Sequence, residues 1–444
     1  MKRKPWIITA AAVLCSFTIR AQSAQDTLRF SLQEALTYAT GHAFENISAE
    51  YDIQESQKKV WEYLAKGMPQ VNVSGQFSDN LSLQENIFSM AFEDGRVETI
   101  KAKFGQKYNM NLAGNASQMI FDGTYFLGVR ASKIYVELSE KNKVKTEIAV
   151  RGAVTESYYL ALIAGKNVEK FKANLHIMEQ TLNETSAYFQ NGFREQTDVD
   201  QVKLMVNNQK NLVLEAERQQ MITQVVLKYA MGIAMEQPIV LSDQLDNLII
   251  PVEAHLVTNE PYQYESNIDF SIMETQEEAQ RLILKNEKMQ FLPKLDAFFN
   301  YNYIRFGDKL NSTDKTNASM WGLTLNVPVF ASGMKRSRVN QEKIKFLKLQ
   351  NQKTQLEEGL KQAHLVAQSN LENAKAVYLN NKEGEEIAGR IVEKTRIKFA
   401  NGLSSSTELS QNESQYIQAQ TNQIQSTINL MKAHIEYQKA IGQL

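Results

Sequence analysis

One plan of turn and helix occurs twice in this sequence. The stretch "NGFREQTDVDQVKLMV" begins at Asn191 and "NGLSSSTELSQNESQY" begins at Asn401, and both predict a tight turn followed by a helix. Gly192 and Gly402 lie 210 positions apart (402 minus 192), and the same offset joins Gly232 to Gly442 at the far end of the helix. A spacing kept over a whole helix indicates an internal structural repeat.

Each copy has the same order of segments: a helix, an alternating segment entered through a proline, a loop, a second alternating segment, a long helix, the turn and a return helix. The sequence therefore predicts the following division: a signal peptide at 1–24; an N-terminal segment at 25–45; a first repeat at 46–232 with β-hairpin 69–121, long helix 123–190, tip turn 191–198 and return helix 199–231; a midpoint connector at 233–266; and a second repeat at 267–442 with β-hairpin 293–330, long helix 333–400, tip turn 401–408 and return helix 409–441.

The four alternating segments predict β-strands with one apolar and one polar face. In the last segment, Trp321, Leu323 and Leu325 alternate with Thr324 and Asn326. A half-buried hairpin of a soluble protein would give this pattern in any single segment. Four segments of about 10–13 residues, the length of a tilted membrane strand, favour a membrane sheet instead.

Four strands are too few to close a barrel, and open strand edges are not tolerated in lipid. The strands of one chain therefore predict an oligomer whose copies share one barrel. Eight, twelve and sixteen strands all satisfy this argument.

The two long helices are each expected to extend about 100 Å, which exceeds a globular domain. Each is expected to lie beside two shorter helices, with 26–45 and 233–266 near the midpoint. The return helix carries a coiled-coil seam in 3-4 spacing that includes small residues, among them Ala419 and Ala433, and the seam of the first copy likewise includes Ala216 and Ala230. A second apolar stripe beside the seam, which includes Ile424, predicts a neighbour on each side, although a simple helical bundle is an alternative.

The N-terminus predicts secretion. Lys2, Arg3 and Lys4 precede an apolar run that is too short to span a membrane, which is typical of a signal peptide. Cys15 is the only cysteine, and Leu14 before it argues against a lipoprotein site. Loss of the signal changes the formal charge from −1 to −5, because four basic residues and no acid are removed. This balance predicts no nucleic-acid partner.

These features resemble the TolC-type outer-membrane efflux channels over essentially the whole mature chain. The resemblance rests on "LRFSLQEALTYATGHAFENISAEYD", in which Ser31 and Glu34 form a capping box, on the helix–proline–strand junctions at Pro69 and Pro293, on "VPVFASG", and on the paired turns. It implies a fold that is mainly α with β: helical hairpins forming a periplasmic α-barrel, and four strands contributed to a trimeric, twelve-stranded barrel in outer-membrane lipid. It also implies that an adaptor protein docks on the turns and that an inner-membrane pump, proton-driven or of the ABC type, supplies the cargo.

The resemblance makes the turns the candidate site, at the periplasmic tips. Gly192 and Gly402 are expected to end the outgoing helices, and Thr197 or Asp198, with Thr407 or Glu408, to start the return helices. Asp198 and Glu408 match the acidic tip residue of the family. The second turn departs from the family, because it reads "LSSST" where constricting charged groups are usual, while Arg194 and Asp200 lie in the first. Helix capping and a role in gating or cation selectivity both remain open for the two acids.

No catalytic, phosphate-binding or metal-binding motif is present in the sequence, and its five histidines have no ligand spacing. We therefore predict a passive export duct of a tripartite efflux or type I secretion system, with no enzyme activity, cofactor or metal. Two alternatives are a periplasmic adaptor and a coiled-coil scaffold without channel activity. An adaptor carries one helical hairpin rather than two copies, and neither alternative requires amphipathic membrane strands.

Overall fold

The computed structural model describes residues 27–92, 95–254, 262–311 and 314–444. The predicted signal peptide and Cys15 lie outside these residues. The chain divides into two compact units. Unit 1 contains Met1–Ala43, Ala153–His255 and Lys375–Lys432, and unit 2 contains Phe44–Gly152, Leu256–Ala374 and Ala433–Leu444.

The elements follow the order expected for two copies. They are β1 (Leu28–Phe30), α1 (Leu32–His42), α2 (Phe44–Ala65), β2 (Gln70–Asp79), β3 (Gln84–Ala91), β4 (Val97–Phe104), β5 (Tyr108–Phe121), α3 (Gly123–Gln190), α4 (Gln196–Met231), β6 (Ile239–Leu241), α5 (Leu245–Ala254), the 3₁₀ turn Tyr264–Ser266, α6 (Ile268–Met289), β7 (Lys294–Gly307), β8 (Lys315–Asn326), α7 (Met334–Ala400) and α8 (Ser406–Ala440). We call α3 with α4 helical hairpin 1, and α7 with α8 helical hairpin 2. None of the helices in the described ranges is both long and apolar enough to cross a membrane.

Unit 2 contains an antiparallel sheet in the order β2-β5-β7-β8. Its register aligns Val71, Ala116, Phe299 and Trp321 across the four strands. Because side chains alternate between faces, this row and those two residues away form one apolar face, and the rows between them form a polar face. The apolar face is uncovered in the single chain, where Trp321 is 78% exposed.

The predicted β-hairpin 69–121 needs a correction, because it contains four strands. The segment expected to be a loop forms a second hairpin, β3 with β4, that pairs only with itself among the described strands. In this hairpin Lys101 and Lys103 alternate with apolar residues, and Lys103 pairs with Glu85 at 3.4 Å. Both faces of the hairpin are exposed, so it lacks the one-sided pattern that identifies a half-buried strand.

In unit 1 the helical hairpins pack through the predicted seam. Val168 and Phe171 of α3 form a buried cluster with Val213 and Ala216 of α4, and Ile424 of α8 packs against this cluster. Ile424 belongs to the second predicted stripe, so this stripe contacts the other helical hairpin. The two copies differ in detail, because Thr223 is buried and its equivalent Ala433 is only partly buried.

In unit 2 the long helices pack on the shorter helices that precede the strands. Ile134 of α3 is buried with Ala279 and Leu282 of α6. The Ser56 hydroxyl of α2 lies 2.7 Å from that of Ser139 on α3. α3 therefore contacts both α2 and α6, each of which leads directly into a strand of the sheet.

The N-terminal segment and the connector pair with each other in unit 1. β1 and β6 form a two-stranded parallel sheet, and Ser31 and Glu34 form the capping box expected at the start of α1. The buried Tyr158 of α3 donates its hydroxyl to the Phe30 carbonyl at 2.9 Å and to Asp243 at 3.0 Å. The connector is therefore hydrogen-bonded to both the N-terminal segment and helical hairpin 1.

Candidate functional site

Both turns are set by a glycine in the left-handed conformation. Gly192 has φ 76° and Gly402 has φ 73°. Residues other than glycine rarely adopt this region of backbone conformation. The amide of Gly402 donates to the Phe399 carbonyl at 3.0 Å, and the amide of Leu403 donates to that of Lys398 at 2.8 Å. Equivalent bonds end α3 at Gly192. This is a Schellman motif, which satisfies the last carbonyls of each outgoing helix.

The return helices begin three residues before the predicted starts at 199 and 409. Thr197 and Thr407 are therefore not caps, because they already lie in the first helical turn. The Ser405 hydroxyl accepts from the Glu408 amide at 3.1 Å and so caps α8. Asp198 and Glu408 are both the third residue of their helix, where a negative charge is stabilised by the helix dipole.

The acidic residue of each turn contacts the side chain four positions before it. Arg194 lies 3.8 Å from the Asp198 carboxylate, and the Ser404 hydroxyl donates to Glu408 at 2.7 Å. Arg194 and Ser404 are equivalents in the 210-residue repeat. The copies therefore share this geometry, with an ion pair in the first turn and a neutral hydrogen bond in the second.

Arg194 also joins the two helical hairpins. Its guanidinium donates to the Phe399 carbonyl at the end of α7 and lies 4.2 Å from the centroid of the Phe399 ring. Its side chain is only 12% exposed, although it belongs to a turn. We call this the cross-hairpin contact, because the first turn reaches the outgoing helix of the second copy.

A second, largely buried arginine contributes a charge that the motifs of the sequence did not predict. Arg396 of α7 holds Glu413 of α8 by two hydrogen bonds of 2.5 and 2.9 Å, and the Glu413 side chain is 4% exposed. Burial raises the pKa of Glu413, although the charge and hydrogen bonds of Arg396 act in the opposite direction. The equivalents in the first copy are Ser186 and Lys203. That departure from the repeat was the only sequence signal for the pair.

Three further residues at the turns face solvent. Asp200 is exposed and accepts a hydrogen bond from the neutral Gln196 amide at 3.0 Å. Phe193 and Leu403, which are equivalents, are each 77% exposed. Behind the turns, between α3 and α7, lies a cleft of about 220 Å³ whose lining includes Arg194, Arg396, Tyr188 and Glu393. Within the described residues, no cluster of three or more His, Cys, Asp or Glu side chains is arranged to hold a metal ion.

Solved structures of several membrane proteins share this fold. CusC matches with a TM-score of 0.70 at 13% identity, over 99% of this chain and 98% of that chain. VceC from Vibrio cholerae matches with 0.65 at 14% identity, over 93% and 96%. The CmeC outer membrane channel of Campylobacter jejuni matches with 0.66 at 15% identity, over 93% and 85%. A comparison with curated protein sequences found no significant match.

The model of the outer membrane efflux protein family matches residues 47–233 and 265–443, two ranges that overlap the two predicted copies of the repeat. The match covers well over half of the chain, and the predicted fold class and outer-membrane location are confirmed. This family is a class of efflux proteins and not a class of enzymes. The chain belongs to the outer membrane efflux protein family, and it is an outer-membrane efflux channel.

Proposed function

We propose that three copies form one conduit and that the two turns of each copy form a gate at its periplasmic end. The observation that carries the proposal is the cross-hairpin contact of Arg194. An opening at the turns requires helical hairpin 1 to move relative to helical hairpin 2, and Arg194 must release Phe399 for that movement. The gate therefore uses an arginine of the first turn, while the second turn contributes Ser404 and Glu408.

The uncovered strand edges support the trimer. Among the strands that the structure describes, β2 and β8 each have one unpaired edge. Pairing β8 of one copy with β2 of the next removes every edge when the ring closes. Three copies give twelve strands, as the resemblance to TolC-type channels implies. Heat-modifiable, detergent-requiring material in the outer-membrane fraction is the expected result, whereas release by urea or carbonate would contradict membrane integration.

The acids of the turns favour cations at the mouth. Asp198 is offset by Arg194, and Glu408 is hydrogen-bonded to Ser404, whereas Asp200 is exposed beside a neutral amide. We therefore assign most of the cation preference to Asp200 in three copies. Exposed charges are screened beyond about 8–10 Å at physiological salt, so the preference is expected to weaken as ionic strength rises.

The experiment compares Arg194→Ala with Arg218→Ala in planar bilayers. Arg218 is an exposed arginine of α4 that pairs with Glu215 within its own helix, so its loss removes the same charge without touching the contact. Arg194→Ala is expected to raise the conductance and the open time, and Arg218→Ala to match wild type. Equal conductance of wild type and Arg194→Ala, with both trimers intact, would remove Arg194 from the gate.

We also propose that the exposed Phe193 and Leu403 contact the periplasmic adaptor, behind which an ABC or proton-driven pump supplies cargo. Large apolar side chains exposed at equivalent positions of a turn suit a protein partner. The double variant Phe193→Ser/Leu403→Ser is expected to keep single-channel conductance and lose adaptor-dependent export. Export at the wild-type rate would place adaptor binding elsewhere.

A further inference from the structure

The polar face of the four-stranded sheet carries no charge through its central rows. The register aligns Asn72, Asn115, Asn300 and Met320 in one row. The next two rows on this face read Ser74, Ala113, Asn302, Ala318 and Gln76, Asn111, Ile304, Thr316. Half of these positions are amides, and none is acidic or basic. We call the six amides the amide belt (Asn72, Gln76, Asn111, Asn115, Asn300 and Asn302).

Charged residues on this face lie only outside the belt. Asp296 precedes it on β7, where it pairs with Thr324, and Asp314 lies beyond the start of β8. The opposite face is apolar and exposed, with Val71 at 70% and Leu323 at 62%. In an outer-membrane protein the apolar face of such a sheet contacts lipid and the polar face lines the interior.

A side-chain amide carries both a donor and an acceptor but no net charge. It can exchange hydrogen bonds with an ammonium, a carboxylate or a hydroxyl group of a passing solute, and it adds no long-range field of either sign. Rings of charged side chains, by contrast, select ions by sign. A strand section lined by amides therefore neither attracts nor repels a solute because of its charge.

We propose that the amide belt lines the conduit where it crosses the membrane and contributes no charge preference of its own. The cargo class that this lining accepts is an amphipathic organic molecule of either sign, whose polar groups exchange water for side-chain amides. The proposal rests on the proposed conduit, with the ion preference assigned to the turns, and it places Asn115 at the inner surface of the conduit.

The test introduces single cysteines in a Cys15→Ser background, because Cys15 is the only cysteine of the chain. Asn115→Cys places a thiol in the belt, and Ala116→Cys places one on the apolar face between Val71 and Phe299. Assembled channels in planar bilayers under a salt gradient are treated with thiosulfonate reagents that are anionic, cationic or neutral. Because the reagent is added after the channel has assembled, the charge that it introduces cannot prevent folding or assembly.

For Asn115→Cys, the anionic reagent is expected to raise the cation-to-anion permeability ratio and the cationic reagent to lower it, each by roughly twofold or more. The neutral reagent is expected to leave the ratio unchanged, and Ala116→Cys is expected to respond to none of the three. A silent Asn115→Cys, a matching response from Ala116→Cys, or a shift caused by the neutral reagent would each overturn the proposal.

A second variant separates this proposal from the role of the turns. Asp198→Asn/Asp200→Asn/Glu408→Gln neutralises the turn acids and is expected to abolish the cation preference. This variant could keep the wild-type cation-to-anion permeability ratio while labelled Asn115→Cys responds as expected. That result would contradict the role of the turns in cation preference and support the amide belt. If the variant loses the cation preference and labelled Asn115→Cys does not respond, the role of the turns is supported and the proposed amide belt is contradicted.

Discussion

Arg396 and Glu413 show how a single pair of residues distinguishes two copies of one fold unit. The pair is buried between α7 and α8, whereas the equivalent positions of helical hairpin 1 hold a serine and a lysine. A buried ion pair adds little to stability compared with apolar residues of similar volume, but removing one partner leaves a costly unpaired charge. Substituting Arg396 or Glu413 alone is therefore expected to destabilise helical hairpin 2, and helical hairpin 1 has no equivalent pair to lose.

Arg396→Met is expected to destabilise this end of helical hairpin 2 by about 3–5 kcal/mol at neutral pH, because Glu413 is left charged and buried. Burial raises the pKa of Glu413 above its ordinary 4.5, so the folded state favours the protonated form. The stability gained from that protonation is present below the ordinary pKa and lost as pH rises through the folded pKa. The loss in Arg396→Met should therefore shrink as pH falls, measured by hydrogen exchange at 393–416.

The matched control for this prediction is Arg396→Met/Glu413→Leu, which removes both charges and is expected to lie near wild type at every pH. A loss in Arg396→Met that is independent of pH, or equal in the double variant, would contradict the assignment of the cost to the unpaired carboxylate.

The turns end whole helices, so their glycines act at the scale of the element. Gly402 has a positive φ, and no atom of the described residues lies within 4 Å of a Cβ added there. Gly402→Ala is expected to cost about 1 kcal/mol through backbone strain alone. Gly384 of α7 is equally open but has no positive φ, so Gly384→Ala is expected to stabilise the chain by about 0.4–1 kcal/mol. Thermal melting of the trimer measures the change in stability caused by each substitution. A change of the same sign in Gly402→Ala and Gly384→Ala would contradict the capping role of Gly402.

Packing between helices depends on the small residues of the seam. Ala216 is buried against Val168, Phe171 and Val213, so Ala216→Phe is expected to overpack α3 against α4 at a cost of about 1–3 kcal/mol. Ala433→Phe is expected to cost less, since Ala433 is only partly buried. Melting that is unchanged in Ala216→Phe would show that the seam register is wrong.

The elements of this fold follow from periodicity, but the contacts between them do not. Alternation identified the strands of the main sheet, because each has one apolar face, and missed the β3–β4 hairpin, whose faces are both exposed. The turn glycines were predictable because the left-handed backbone conformation at the end of a helix favours glycine, which is a local preference. The reach of Arg194 to Phe399 was not, because it joins residues 205 positions apart, and a charged residue in a turn ordinarily faces solvent.

At the scale of the whole molecule, the sheet is incomplete within one chain. Deleting Leu292–Phe330 removes β7 and β8 and leaves β5 with an unpaired edge. Because open edges are not tolerated in lipid, this deletion is expected to abolish integration into the outer membrane and the detergent-stable trimer. The measurement is gel mobility with and without heating after extraction of outer membranes. A detergent-stable oligomer formed by the deleted chain would show that closure does not need both pairs of strands.

The most direct measurement is the ionic current through the purified, full-length trimer in a planar bilayer with a salt gradient. We expect discrete current steps, a reversal potential that favours cations at low ionic strength, and larger steps in Arg194→Ala. A detergent-stable trimer that inserts without carrying current, in wild type and in Arg194→Ala alike, would contradict the conduit and its gate.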